Sequence, residues 1–268
     1  MRKPNVLLNH LSSLRCPKCQ GKLNLSDTSN ISNRILQNTL YCDNGHCWQI
    51  KDGIVSLNHP KFIRRKETDV RGKILRGVLK EKDSLNLSLE DIMKPVRECI
   101  PHHSGIRILE MSAGGFTSYL LLQDMLDNLE GTPELHAMDS SAERLNHTMH
   151  KIYEQDIPVT GVHGNETHAP YPAEWFDLVF QIGQLSTFRS KETIMKEMLR
   201  LVAPSGSAVI LDWGMSPKIR DKGSSERLLK DLQPLANRPP LESLPNDVDS
   251  AEIEYIARDL MFSIRMQK

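Results

Sequence analysis

The 268-residue chain has no net charge to spend, with 34 Lys and Arg against 34 Asp and Glu. No global field therefore steers it toward nucleic acid or a membrane surface, and any electrostatic binding must come from a local patch. Aromatic residues are scarce at 5%. No apolar run approaches the roughly 20 residues that span a bilayer. The opening "MRKPNVLLNHLSS" has two basic residues but lacks the apolar core of a secretion signal. A cytoplasmic location is the default expectation, in which cysteines stay reduced or bind metal. What is present, 39% hydrophobic and 25% charged residues, suits a soluble globular protein. The length accommodates one large domain and a small one.

Four of the five cysteines fall in the first 47 residues. Cys16 and Cys19 stand in "CPKCQGKL", a CxxC turn that can place two thiolates on one tetrahedral edge, with Gly21 letting the chain curl back beneath them. "LYCDNGHCWQIKDGIV" offers Cys42 with either His46 or Cys47, and Asn44-Gly45 is a turn pair suited to a second knuckle. The 42 − 19 − 1 = 22 residues between the halves are compatible with a zinc ribbon. About sixty residues so poor in apolar side chains need such a staple to fold. Four protein ligands leave no open position, so the Zn2+ would be structural.

Residues 61–82, "KFIRRKETDVRGKILRGVLKEK", hold nine basic and three acidic side chains, a local +6. They read as a solvated linker helix or as a phosphate-contacting arm, and Phe62 alone offers stacking. In "LSLEDIMKPVREC", Leu89, Ile92, Met93 and Val96 share a helical face, with Ser88 as N-cap and Pro95 as a kink.

From residue 106 strands and helices alternate. "IRILEM", "ELHAMD", "PVTGVHG", "FDLVFQI" and "SAVILDW" read as buried strands, and "TSYLLLQDMLDNL", "SAERLNHTMHKIY" and "SKETIMKEMLRLV" as amphipathic helices. This order predicts a parallel sheet with helices on both faces and a ligand at the carboxyl ends of the strands. The first strand–helix turn, "ILEMSAGGFTSY", has Ser112, Gly114 and Phe116 where a dinucleotide loop has three glycines. A phenylalanine in the third place obstructs packing around a diphosphate. S-adenosylmethionine (SAM) carries none, and asks for one close backbone approach and a nearby acid. Gly114 and Glu110 can supply these, and Asp139, 139 − 110 = 29 residues on, ends the second strand where a ribose would lie.

Residues 106–214 resemble the class I SAM-dependent methyltransferases. "ILEMSAGGF" is similar to the family's first motif and "LHAMDSSAERL" to its second. "GVHGNETHAPYPAEWFDLVF" and "EMLRLVAPSGSAVILDW" resemble the stretches through the fourth and fifth strands. The resemblance implies an α/β fold with a Rossmann-like seven-stranded sheet. It also implies a cofactor site in which Glu110 and Gly114 serve the methionine end and Asp139 the ribose, with Ser112 and Ser140 among the cofactor-binding residues. Asn165 would meet the adenine amino group, and Gln181 would face the cofactor. Asn165 stands where an aspartate is usual, and Ser112 and Phe116 depart from the pattern. "CDNGHCWQIKDGIVSL" in turn resembles the ribbon of bacterial large-subunit ribosomal RNA guanine methyltransferases. That likeness selects Cys16, Cys19, Cys42 and His46 as the zinc set over Cys47.

The implied organisation is a ribbon over 1–60, a basic bridge and helical linker over 61–104, and a catalytic domain over 105–268. "MFSIRMQK" supplies a last antiparallel strand, and residues 215–255 form a substrate-side insertion or mobile lid. Weak candidates for a catalytic base are His168 and Asp212. "FQIGQL" lacks the Asn/Asp-Pro-Pro-aromatic turn that grips an exocyclic amino group, and Cys99 precedes the fold's first strand, as a core residue would. The acceptor is a small molecule or peptide, or an RNA base; the competing class is a non-catalytic adaptor whose altered loop no longer binds SAM.

Overall fold

The computed structural model describes residues 6–27, 33–58, 87–114, 118–221 and 225–268. The basic stretch 61–82 and Phe116 lie outside the described residues. Thirteen strands are present among them: β1 (Val6–Leu7), β2 (Asn24–Leu25), β3 (Arg34–Ile35), β4 (Asn38–Tyr41), β5 (Cys47–Lys51), β6 (Ile54–Ser56), β7 (Arg107–Met111), β8 (Glu134–Asp139), β9 (Val159–His163), β10 (Phe176–Ile182), β11 (Val202–Trp213), β12 (Ser250–Ile256) and β13 (Met261–Gln267).

Eleven of them form one sheet in the order β12-β13-β11-β10-β7-β8-β9-β6-β5-β4-β2, and β1 pairs with β3 apart from it. Seven, from β12 to β9, make the α/β core. β9, β8, β7, β10 and β11 run parallel, and β13 is antiparallel to both neighbours. Their continuous apolar runs reflect burial on both faces. The helix Ala142–Glu154 shows how the sequence selects its packing. Ser141 caps it by accepting from the Arg144 N–H, and Leu145, Thr148, Met149, Ile152 and Tyr153 form one buried stripe at helical spacing. Strand order reverses between β7 and β10, which leaves the crevice of a doubly wound sheet above their carboxyl ends.

The cysteine-rich segment is built into this sheet. β6 adds in parallel to β9, with Ile54 opposite Gly161, Val55 opposite Val162 and Ser56 opposite His163. Leu14, Leu40, Ile50 and Val55 belong to the same buried cluster as Met138, Val162 and Tyr171. Nothing local in the sequence announces this pairing.

Residues 215–255 hold short helical turns and then β12, the outermost strand of the sheet. Arg220 anchors the segment by donating to the carbonyls of Met215, Leu235, Ala236 and Asn237. The reading of an insertion or lid thus missed a strand. "SAEIEYI" alternates acids with Ile253 and Tyr255, which is the pattern of an edge strand with one solvated face.

The 3-10 turn Leu8–Ser13 lies on the sheet with His10 only 1% exposed. His10 Nδ1 is 2.9 Å from Thr160 Oγ1, its ring stacks 5.0 Å from that of His136, and His136 Nε2 is 2.9 Å from Glu134 Oε1. Burial, reinforced by His136 and opposed by Glu134, lowers His10 from 6.5 to about 3. The unfolded chain therefore binds this proton first, so stability is lost as pH falls below about 6.5. Between pH 7 and pH 5 the loss from this group should be about 2 kcal/mol. Because buried carboxyls raised in the fold act in the opposite sense, the test is the difference in stability, read from urea midpoints, between the parent and His10→Gln, which should change by about this amount across the range. An unchanged slope in the variant would assign the acid lability elsewhere.

Candidate functional site

The turn after β7 organises the crevice. Ser112 takes a left-handed backbone at φ 61°, the conformation that makes glycine frequent in such turns. Its side chain compensates. Ser112 Oγ donates to Glu166 Oε1 at 3.2 Å, Gln181 Nε2 approaches the same hydroxyl at 3.3 Å, and Gln184 Nε2 donates to the Ser112 carbonyl at 2.7 Å. Glu110, just before the turn, is 1% exposed and accepts from Ser118 Oγ at 2.6 Å. Burial pushes its carboxyl up to about 8, against the pull of that hydroxyl. Glu110 Oε2, Gln181 Oε1 and Gln184 Oε1 are buried without a donor. Two amide acceptors wanting donors, and a carboxyl that becomes a third once it ionises, surround one turn.

Gly114 is required where it stands. A Cβ there would fall 2.5 Å from Arg144 Cβ and 2.7 Å from Asp139 Oδ2. Its N–H donates to Asp139 Oδ2 at 2.8 Å, while Asp139 Oδ1 accepts from the Ser141 N–H at 2.7 Å and from Arg144 at 2.9 Å. Asp139 is fully buried and joins the glycine turn to the turn after β8.

Asn165 has its Oδ1 turned to its own loop, accepting from Thr167 N at 2.8 Å and Thr167 Oγ1 at 2.7 Å. The next residue reaches the strand tips instead. Glu166 is fully buried, and its Oε1 also accepts from Ser140 N at 3.2 Å and Ser140 Oγ at 3.1 Å. Glu166, Gln184 and Arg144 were not singled out in the sequence. The Asn-x-Thr spacing is the signal for Glu166, since an Asx turn ties up the asparagine.

Of the two candidate bases, His168 is half-buried, and its N–H donates to the Asn165 carbonyl. Asp212 is fully buried, with its oxygens accepting from the N–H groups of Ser186 and Trp213 at 2.7 and 2.8 Å. Burial raises it to about 6, opposed by those two donors. This arrangement anchors the turn after β10. Cys99 is buried, and burial pushes its thiol up, as suits a core residue.

At the other edge, the ligand atoms of Cys16, Cys19, Cys42 and His46 lie within 4.8 Å of one another. Cys19 Sγ is 3.6 Å from Cys42 Sγ, and His46 Nδ1 is 3.5 Å from Cys16 Sγ and 3.4 Å from Cys42 Sγ. Metal bonds of about 2.3 Å to sulfur and about 2.0 Å to nitrogen give tetrahedral edges near 3.8 and 3.5 Å, so the four residues fit zinc. Trp48 Nε1 approaches Cys16 Sγ at 3.3 Å. Cys47 is exposed, its thiol directed at the Gly45 carbonyl and outside the cluster.

Residues 108–206 match the family model described as a methyltransferase domain. Among solved structures, a SAM-dependent methyltransferase from Aquifex aeolicus is similar at 17% identity and a TM-score of 0.50, over 75% of this chain and 98% of that one. Phosphoethanolamine N-methyltransferase 2 from Haemonchus contortus, in complex with phosphomonomethylethanolamine and S-adenosylhomocysteine, is similar at 13% identity and a TM-score of 0.51, over 72% and 57% of the two chains. No curated protein matches the sequence. The core therefore has the Rossmann-like fold of these methyltransferases, and residues 108–206 are the part that matches the family model. No described helix is long and apolar enough to cross a membrane.

Proposed function

We propose that the chain is a SAM-dependent methyltransferase whose cofactor lies over the Ser112 turn and Asp139. The observation that carries this reading is the set of unpartnered buried acceptors around that turn. A methionine ammonium supplies donors to such a set, whereas a diphosphate would bring more acceptors. In this reading Glu110, Gln181 and the Gly114 backbone hold the methionine end. Asp139 accepts from the ribose hydroxyls, Ser140 flanks the nucleoside, and Asn165 supports the adenine side through its loop. Bound SAM supplies a sulfonium methyl group, and the crevice contributes chiefly by positioning and by excluding water. Asp212 and His168 serve as orienting groups on the acceptor side.

The raised pKa of Glu110 gives the test its signature. The folded apo protein keeps this carboxyl protonated at pH 7, and pairing it with an ammonium requires ionisation. SAM binding near pH 7 should then release close to one proton, read by calorimetry in two buffers of different ionisation enthalpy. Glu110→Gln should abolish the release. Binding without proton exchange would remove Glu110 from the methionine end.

We also infer a structural zinc ion on Cys16, Cys19, Cys42 and His46. The acceptor favoured by a specific feature is a base in structured RNA, from the ribbon's resemblance and the +6 charge of residues 61–82. The test is an RNA titration at rising salt. Phosphate contacts by this segment predict a log–log slope falling by about 0.7–0.9 per contact. A salt-independent or absent signal would assign the enzyme to a small acceptor.

A further inference from the structure

The ribbon reaches the crevice through one side chain. His163 ends β9 directly opposite Asp139 in the β8–β9 register and opposite Ser56 in the β6–β9 register. Its Nδ1 is 3.3 Å from Ser56 Oγ, and its Nε2 is 3.1 Å from the Ser140 carbonyl and 3.2 Å from Asn58 Nδ2. Burial lowers the pKa of His163, opposed by the Ser140 contact and by Asp139, so the ring is neutral at physiological pH. With its proton on Nε2 the ring donates to Ser140 O, Nδ1 accepts from Ser56 Oγ, and the Asn58 amide turns its oxygen, otherwise without a partner, toward Nε2. The Leu57 N–H donates to the His163 carbonyl at 2.8 Å, which ties the same residue to the ribbon through its backbone.

The turn held in this way is the one that matters. Ser140 N donates to Glu166 and Ser141 N to Asp139, so a shift of the Ser140 carbonyl would move both carboxylates relative to the glycine turn. The ribbon's three-stranded run β4-β5-β6 ends on His163, and the metal-ligand residues Cys42 and His46 lie in the turn that joins β4 to β5.

We propose that His163 is a positioning residue that transmits the rigidity of the ribbon to the Ser140 turn, so that an intact ribbon is part of what shapes the cofactor site. The inference rests on the crevice being the SAM site only for its binding readout. Its structural readout stands apart from that reading.

Two substitutions separate positioning from folding. His163→Phe keeps a ring in the half-buried site without its hydrogen bonds. His163→Gln places both a donor and an acceptor near the position of Nε2. In the full-length protein, His163→Phe should speed amide exchange at Ser140 and Ser141 by about tenfold and weaken SAM binding by a similar factor. His163→Gln should restore both to within about threefold of the parent. Chelating the metal should reproduce the faster exchange in the parent and add little in His163→Phe.

Unchanged exchange at Ser140 in His163→Phe would overturn the proposal, as would equal losses in the phenylalanine and glutamine variants. If the parent itself ignores SAM, the cofactor reading fails, while the exchange comparison still decides the role of His163.

Discussion

Asp139→Ala should weaken SAM binding by about a hundredfold or more and lower stability at the same time. In the proposed reading the binding loss follows from one charge-assisted ribose hydrogen bond, about 1.5–3 kcal/mol, at the acceptor site the protein donors leave open, together with loss of the turns that the carboxylate holds. The stability loss follows from what the carboxylate holds in the folded chain: the Gly114 N–H, the Ser141 N–H and the Arg144 guanidinium. Asp139 is fully buried and the Arg144 side chain is 18% exposed, so truncation leaves a largely buried cation without this partner. Arg144 keeps a further contact, so the loss should stay below the roughly 3–5 kcal/mol of a fully uncompensated buried charge. Asp139→Asn separates the two effects. It keeps the shape and one acceptor oxygen but turns an NH2 toward one of these donors, so its melting temperature should fall less than that of Asp139→Ala while SAM affinity falls at least about tenfold. An asparagine variant that binds SAM like the parent would mean that Asp139 serves the fold alone.

Cys42→Ser should have the largest effect on the fold. The parent is expected to carry one zinc per chain and the variant substantially less. Structural zinc contributes about 10–16 kcal/mol of apparent binding energy in small peptides. Here the ribbon's apolar residues also pack on β9, which keeps part of the structure in place without metal. A loss of several kcal/mol in a chain of this size corresponds to a fall of about 10 °C or more in melting temperature. Cys47→Ser is the matched control and should leave both zinc content and melting temperature unchanged, because its thiol lies outside the cluster. Zinc lost from Cys47→Ser but retained in His46→Ala would reverse the ligand assignment.

The legible part of this protein is the part written in local pattern. "ELHAMD" and "FDLVFQI" coincide with β8 and β10, and the helix read over "SAERLNHTMHKIY" matches Ala142–Glu154 within a residue at each end. These segments combine buried runs or a helical stripe with a capping serine, so period and boundary agree. The cysteine spacing likewise brought out Cys16, Cys19 and Cys42 but left His46 and Cys47 open, and the fold gathers His46. What escaped depends on distance in sequence. β6 has three residues and no signal for a parallel partner a hundred positions away, yet that pairing joins the ribbon to the sheet. β12 was hidden in a polar, proline-rich stretch because an edge strand needs only one apolar face. At the crevice, Ser112 looked like decay of a glycine loop. The structure gives the serine a use, since its hydroxyl meets Glu166 and Gln181. Glu166 reaches the strand tips because the Asx turn ties the Asn165 side chain to Thr167, a local effect that the family position of Asn165 does not convey.

The central claim is that the strand tips accept a sulfonium amino-acid nucleoside and reject a dinucleotide. Titration calorimetry of the full-length, zinc-loaded protein tests it most directly. The account predicts one SAM per chain, displaced by S-adenosylhomocysteine and left in place by NAD. No heat with either SAM or its demethylated product, or a dinucleotide that binds in competition with them, would contradict it.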